Sequence, residues 1–213
     1  MSRAIIVCGA KIKDYEFVSS FFKKDDYFIY CDSGLIHESR FMSEVDTSAD
    51  LIIGDFDSHD NPLRNVETIV LPHEKDDTDS VYAMKEALKR GYKEILFVGA
   101  VGDRFDHSLV NIYALQYILD NGAKGCIVDD LSVMELIDKN NPGAVNDVWP
   151  YFSLVAISGE ASGVTIQDAK YELEDAVITP SYQFATSNEP IKGKTTKITV
   201  ADGYLLLIKD RYL

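Results

Sequence analysis

The chain has few cysteines, few basic residues and no long apolar run, and each shortage narrows what it can be. Its three cysteines, Cys8, Cys31 and Cys126, stand in or beside apolar stretches with no CxxC spacing. An odd, scattered set argues against disulfides and a zinc site, and the expectation is reduced core thiols in a cytoplasmic protein. Lys and Arg number 21 against 35 Asp and Glu, a formal net charge of −14. Phosphate backbones and anionic membrane surfaces need clustered basic residues, so neither is an expected partner. No apolar run approaches the roughly 20 residues that a membrane-spanning helix requires. The opening "MSRAIIVCGAKIKDYEF" holds too short an apolar stretch for a signal peptide and reads as a first strand. Two nucleotide fingerprints are also missing. No GxGxxG follows that strand, and "GKTT" at Gly193–Thr196 has Asn188 where a Walker A motif needs glycine. Any nucleotide is held another way.

What is present is a change of texture along 213 residues, a length that suits one large domain or two small ones. Up to about residue 130, short apolar runs alternate with stretches of helical spacing. The runs are Ala4–Cys8, Phe28–Cys31, Leu51–Ile53, Thr68–Leu71, Ile95–Val98 and Cys126–Val128. The clearest helix begins at Thr78, with Val81, Met84 and Leu88 on one face, Lys89 and Arg90 in the last turn and Gly91 beyond it. A second is expected from about His107 to Asp120, closed by Gly122. Such alternation predicts an open, mainly parallel α/β sheet with helices on both faces over residues 1–137. "NNPGAVND" reads as a loop or linker. Beyond it lie Phe152–Ile157, Lys170–Leu173, Ala176–Ile178, Lys197–Val200 and Tyr204–Ile208, broken by Ser-Gly, Thr-Pro and Asp-Gly. This pattern predicts an all-β sandwich domain over 145–213.

Acidic residues collect where the predicted parallel strands end. Asp32 follows one strand, and Asp55 and Asp57 follow the next in "IIGDFDS". Asp76, Asp77 and Asp79 lie in "HEKDDTDS", and Asp103 and Asp106 in "GAVGDRFDH". Ligands of open α/β sheets bind beyond the carboxyl ends of the strands, so these acids can converge. Carboxylates repel one another unless a cation holds them, and hard oxygen ligands suit Mg²⁺. One Asp-x-Asp alone is better explained by a turn or helix cap, and Asp77 or Thr78 can simply cap the helix that follows. Arg104, flanked by Gly99 and Gly102, can clamp a phosphate or pair with Asp103 or Asp106. His107 can orient a carboxylate, bind phosphate or simply begin its helix. His37, His59 and His73 have no companions at ligand spacing and read as surface or loop residues. Trp149, Tyr151 and Phe152 read as packing before they read as a stacking platform for a cationic ring.

Taken together, "DLIIGDFDS", "EKDDTDS" and "VGAVGDRFDHSLVNI", followed by "YFSLVAISGE" and "TSNE", resemble the thiamine pyrophosphokinases over nearly the whole length. The resemblance implies an α/β nucleotide-binding domain, a β-sandwich domain and a homodimer with thiamine near the subunit interface. It implies transfer of the pyrophosphoryl group of ATP to the thiamine hydroxyl, giving thiamine diphosphate and AMP. By the same resemblance Asp55, Asp57 and Asp79 hold Mg²⁺. Ser58, Asp76, Thr78, Gly99, Gly102, Arg104, Asp106 and His107 line the nucleotide and phosphate site. Asp32 lies near the reacting groups, where it is the expected acceptor of the hydroxyl proton, and Ser187 and Asn188 approach thiamine. Three positions depart from the family pattern. Asp103, Ser33 and Asp168 stand where the family usually has glycine. Two rivals remain open at this point. Haloacid-dehalogenase-type phosphatases also run an apolar strand into Asp-x-Asp, which would make Asp55 a nucleophile; a pyrophosphokinase acting on another hydroxymethyl heterocycle would share every motif. A non-catalytic nucleotide sensor is a third reading, disfavoured by the intact set of acids.

Overall fold

The computed structural model describes residues 3–56, 65–102, 104–157 and 159–211. Contacts divide the chain into two units, Met1–Asp130 and Leu131–Leu213. The first unit is built on six parallel strands: β1 (Ala4–Val7), β2 (Tyr27–Cys31), β3 (Leu51–Gly54), β4 (Glu67–Val70), β5 (Glu94–Val98) and β6 (Lys124–Val128). They lie in the order β4-β3-β2-β1-β5-β6. The chain therefore builds outward from β1 on one side, then returns to build on the other. That reversal between β1 and β5 is the topological switch point where such sheets open a crevice. β1, β3 and most of β2 and β5 are buried along their length, which is why they read as unbroken apolar runs. Each fully buried Ile, Leu or Phe among them contributes roughly 1.5–3 kcal/mol.

Four helices, α1 (Tyr15–Ser19), α2 (Glu38–Val45), α3 (Asp79–Lys89) and α4 (Phe105–Asp120), and a 3₁₀ segment (Asp32–His37) connect these strands. α3 starts where its cap says it should. The Thr78 hydroxyl accepts from the Val81 N–H, and Gly91 closes the far end at φ +89°. α4 begins two residues earlier than the apolar spacing indicated, and Leu109 and Tyr117 stay largely exposed. Its inward face is instead Ser108, Asn111, Ala114, Leu115 and Ile118. No helix among the described residues is long and apolar enough to cross a membrane.

In the second unit, β13 (Leu205–Asp210) pairs antiparallel with β7 (Ser132–Ile137) and with β9 (Tyr151–Val155). β8 (Gly143–Asn146), β10 (Ala161–Gln167), β11 (Leu173–Ile178) and β12 (Thr195–Thr199) form an antiparallel sheet in the order β11-β10-β12-β8. Phe152, Leu154, Val164, Ile166, Ile198 and Leu207 fill one core between the two sets of strands. Phe152 is wholly buried there and Trp149 packs against that core, the packing role expected of these two aromatics.

Two sequence expectations are corrected. "NNPGAVND" is not a linker, because Gly143–Asn146 is β8, paired residue by residue with β12. A short strand containing glycine carries almost no local signal, and its partner supplies the structure. Lys170–Leu173 is not a strand either; the ladder begins at Leu173, after a turn that places Asp168 at φ +60°. Glycine is the easiest residue at such an angle and aspartate one of the more tolerant of the rest. Asp168 therefore fits the backbone a glycine would.

Candidate active site

A cavity of about 590 Å³ opens at the switch point, within the usual range of small-molecule sites. Its walls come from the carboxyl ends of the strands: Cys8–Ala10 after β1, Cys31–Ser33 after β2, Asp55 after β3, and Gly99 and Ala100 after β5. The segment from His73 to Ser80, leading into α3, and Arg104, His107, Ser108 and Asn111 complete it. Gly54 and Gly99 are needed for close approach. A Cβ on Gly54 would meet the Asp32 Cβ at 2.5 Å, and one on Gly99, at φ +60°, would meet the Cys8 carbonyl at 2.4 Å.

Asp32, Asp55 and Asp79 converge here, each offering a carboxylate oxygen, and these oxygens lie within 4.8 Å of one another. Asp32 is 2% exposed; its Oδ1 accepts from the Ser33 N–H, while its Oδ2 is buried with no hydrogen-bond partner. A buried polar oxygen without a partner is costly, and a hard cation satisfies it. The residues present fit a divalent ion of the Mg²⁺ type. Asp57, expected beside Asp55, lies outside the described residues, as do Ser58, His59 and Asp103. Phe56 turns the chain after Asp55 at φ +57°, a strained angle for a bulky residue and one that clusters at functional sites.

The sequence reading missed Lys75. Its Nζ donates to Asp55 Oδ2 at 2.6 Å and to Asp79 Oδ1 at 2.5 Å, with the side chain only 11% exposed. Burial opposes its charge, but the two carboxylates outweigh that and hold the ammonium above its ordinary pKa. For Asp79 burial prevails over Lys75, and the carboxyl rises above the usual range. Its two short contacts keep the Lys75 ammonium charged. A basic residue among four acids in "HEKDDTDS" was the available signal, but charge order alone does not say which acid a flexible stem reaches.

Arg104, which also lines the cavity, is 67% exposed and pairs with Asp106, at 2.5 Å from Nη2 and 3.2 Å from Nε. Of the two roles open from sequence, the ion pair is the one formed. The Arg104 guanidinium holds the Asp106 carboxyl down at about 2. His107 and Asp76 are exposed on the cavity, while Asp77 is tied to Lys85 at 2.5 Å. Thr78 is both cap and cavity wall. Behind them Ser80 donates to Asn111, whose amide donates to the Ala100 carbonyl, each at 2.7 Å. Gly102 N–H donates to the Ser108 hydroxyl, which donates to the Arg104 carbonyl. These links fix the loop that carries Arg104. The deep wall holds Cys8 and Cys31, and the hydrogen bond between them, with burial, pushes the Cys31 thiol well above its usual range. His37 corrects the expectation of a surface residue. It is 2% exposed, with Nε2 on the Ala10 carbonyl and Nδ1 on the Tyr15 hydroxyl.

In the second unit Ser187 is exposed and takes φ +55°. Asn188 is buried and its amide bonds to backbone groups. Its Oδ1 accepts from Tyr171 and Glu189 N–H, and its Nδ2 donates to the Tyr171 carbonyl. Asn188 thus shapes the turn that presents Ser187.

Residues 18–127 match the family model described as the catalytic domain of thiamin pyrophosphokinase, and 139–205 the model described as its vitamin B1 binding domain. A thiamine pyrophosphokinase from Bacillus subtilis (strain 168) is 29% identical over 164 residues, covering 74% of this chain and 76% of that one. Among solved structures, thiamine pyrophosphokinase from Bacillus subtilis superposes with a TM-score of 0.85 at 22% identity, over the whole of both chains. The enzyme from Candida albicans does so at 0.80 and 14%, over 98% of this chain and 88% of that one. These structural matches establish the fold class expected from the sequence. The phosphatase reading gains nothing from them.

Proposed function

The chain belongs to the thiamin pyrophosphokinase family, and from that premise we propose that it moves the pyrophosphoryl group of ATP to the hydroxyl of thiamine, giving thiamine diphosphate and AMP. The observation that carries this reading is the convergence of Asp32, Asp55 and Asp79 in a cavity that Arg104 also lines. The hydroxyl oxygen attacks the β-phosphorus in line; the new O–P bond forms as the bridge to the α-phosphate breaks, and AMP leaves. Such transfers depend on positioning and charge neutralisation more than on covalent help from the protein.

Asp32, Asp55 and Asp79, with Asp57, would hold Mg²⁺. When bound, the ion neutralises polyphosphate charge. Arg104 leaves its exposed pair with Asp106 to clamp the transferred group bidentately. Gly99 and Gly102 keep side chains out of the backbone surface that faces the phosphates, and Thr78, Asp76 and His107 line the remaining approach. The orphaned, buried Oδ2 of Asp32 suits cation duty better than uptake of the hydroxyl proton. A loose transition state deprotonates its nucleophile late, so a carboxylate or water at the cavity mouth suffices. Ser187 meets thiamine, and Asn188 holds it in place. The active form is a cytoplasmic homodimer. Incubation with ATP, thiamine and Mg²⁺ should give AMP and thiamine diphosphate in equal amounts, abolished by a chelator. Near-wild-type turnover by both Asp55→Asn and Asp79→Asn at saturating Mg²⁺ would overturn the cation assignment.

A further inference from the structure

We infer that Lys75 is a resident counter-ion: it occupies the cation site of the nucleotide-free protein and moves onto the polyphosphate when metal and ATP arrive. The inference rests on the cation reading above. The geometry behind it is specific. The Lys75 ammonium touches Asp55 Oδ2 and Asp79 Oδ1, two of the three carboxylates that converge, and lies against them almost out of solvent. A divalent ion held by the same two carboxylates competes for oxygens that the ammonium already uses. The two cations also repel at that range, so one must leave. Lys75 is able to leave. It sits on the irregular segment between β4 and α3, on a flexible four-carbon stem, and borders the cavity that Arg104 also faces. A polyphosphate in that cavity gives the displaced ammonium an anion within reach.

The parked lysine has a use in each state. Without ligand it offsets carboxylates that otherwise repel. It also lowers the apparent affinity for free metal, because only the fraction of molecules with the lysine displaced is competent; nine-tenths occupancy weakens binding about tenfold. Metal and nucleotide then load together, since the nucleotide gives the displaced ammonium a new partner.

The test is Mn²⁺ binding to the nucleotide-free protein, read by electron paramagnetic resonance of free Mn²⁺, alongside steady-state kinetics. Lys75→Met should bind Mn²⁺ about tenfold more tightly than wild type, while its KM for ATP rises and its KM for thiamine is unchanged. Lys75→Gln, neutral but polar, is the second variant should the methionine protein not fold. Unchanged or weaker Mn²⁺ binding in a folded variant would overturn the counter-ion role. Tighter binding with no change in KM for ATP would overturn the move onto phosphate. Absence of Mn²⁺ binding in every protein, with and without ATP, would remove the cation reading and this inference together.

Discussion

Replacing Gly54 by alanine is the sharpest perturbation the fold offers, because the added methyl points at a cation ligand rather than at solvent. Its Cβ would lie 2.5 Å from Asp32 Cβ and 3.0 Å from Asp32 Cγ. Carbon atoms pack at about 3.5–4.0 Å, so Asp32 must retreat by roughly 1 Å. The strand cannot give instead. β3 is paired with β2 through Cys31–Ile53 and with β4 through Gly54–Val70, and it is buried throughout. Overpacking of this kind costs about 1–3 kcal/mol, offset by about 0.4–1 kcal/mol from a less flexible unfolded chain. The net loss of roughly 1–2 kcal/mol should lower Tm by about 2–8 °C. Activity should suffer more. A misplacement of about 1 Å costs on the order of a hundredfold, or about 2.7 kcal/mol of barrier. Gly122→Ala is the control, since its φ of +67° makes alanine strained by about 1–2 kcal/mol while no atom lies within 4 Å of the added carbon. Calorimetry and initial rates on both proteins decide the matter. Equal Tm losses with equal activities would refute the claim that Gly54 is kept small to seat Asp32.

Three further outcomes are expected. Arg104→Gln should lower kcat/KM by about 10²–10³-fold with Tm unchanged, because the pair it loses with Asp106 is exposed on both sides. His37 is held below its ordinary pKa by burial, which outweighs the Ala10 carbonyl and Asp130. The unfolded chain therefore takes up the proton first, so stability is complete above about pH 6.5 and falls as pH drops towards the lowered native value, by at most about 1.36 kcal/mol per pH unit. Urea melts of His37→Gln between pH 7 and 5 should show that limb flattened. Asp168→Val should lower Tm by roughly 2–8 °C because a β-branched residue is strained at φ +60°, whereas Asp168→Gly should melt close to wild type.

Much of the first unit is legible because its strands are buried on both sides. Ile5, Ile29, Ile52 and Leu96 leave an apolar run with no polar alternation to confuse it. The ends of α3 are equally plain, Thr78 and Gly91 being chemistry that only helix termini require. In the second unit the signal fails where structure comes from a partner strand. β8 exists by its register with β12, and β10 carries Gly163 at φ +61° beneath a bulge in its pairing with β11. At the site, the acids are legible because like charges gathered at strand ends demand an explanation. Lys75 and His37 are not, since each acts through reach: a flexible stem in one case, a backbone carbonyl 27 residues away in the other. The backbone bonds of Asn188 to Tyr171 carry no sequence signal, because its partner lies 17 residues away.

Pyrophosphoryl transfer requires attack on the β-phosphorus of ATP. ATP labelled separately at its β- and γ-phosphates, incubated with the protein, thiamine and Mg²⁺, tests this directly when the products are separated. Thiamine diphosphate carrying both labels in equal amounts, beside unlabelled AMP, is the predicted result. Thiamine monophosphate bearing only the γ-label, or labelled inorganic phosphate without thiamine diphosphate, would contradict it.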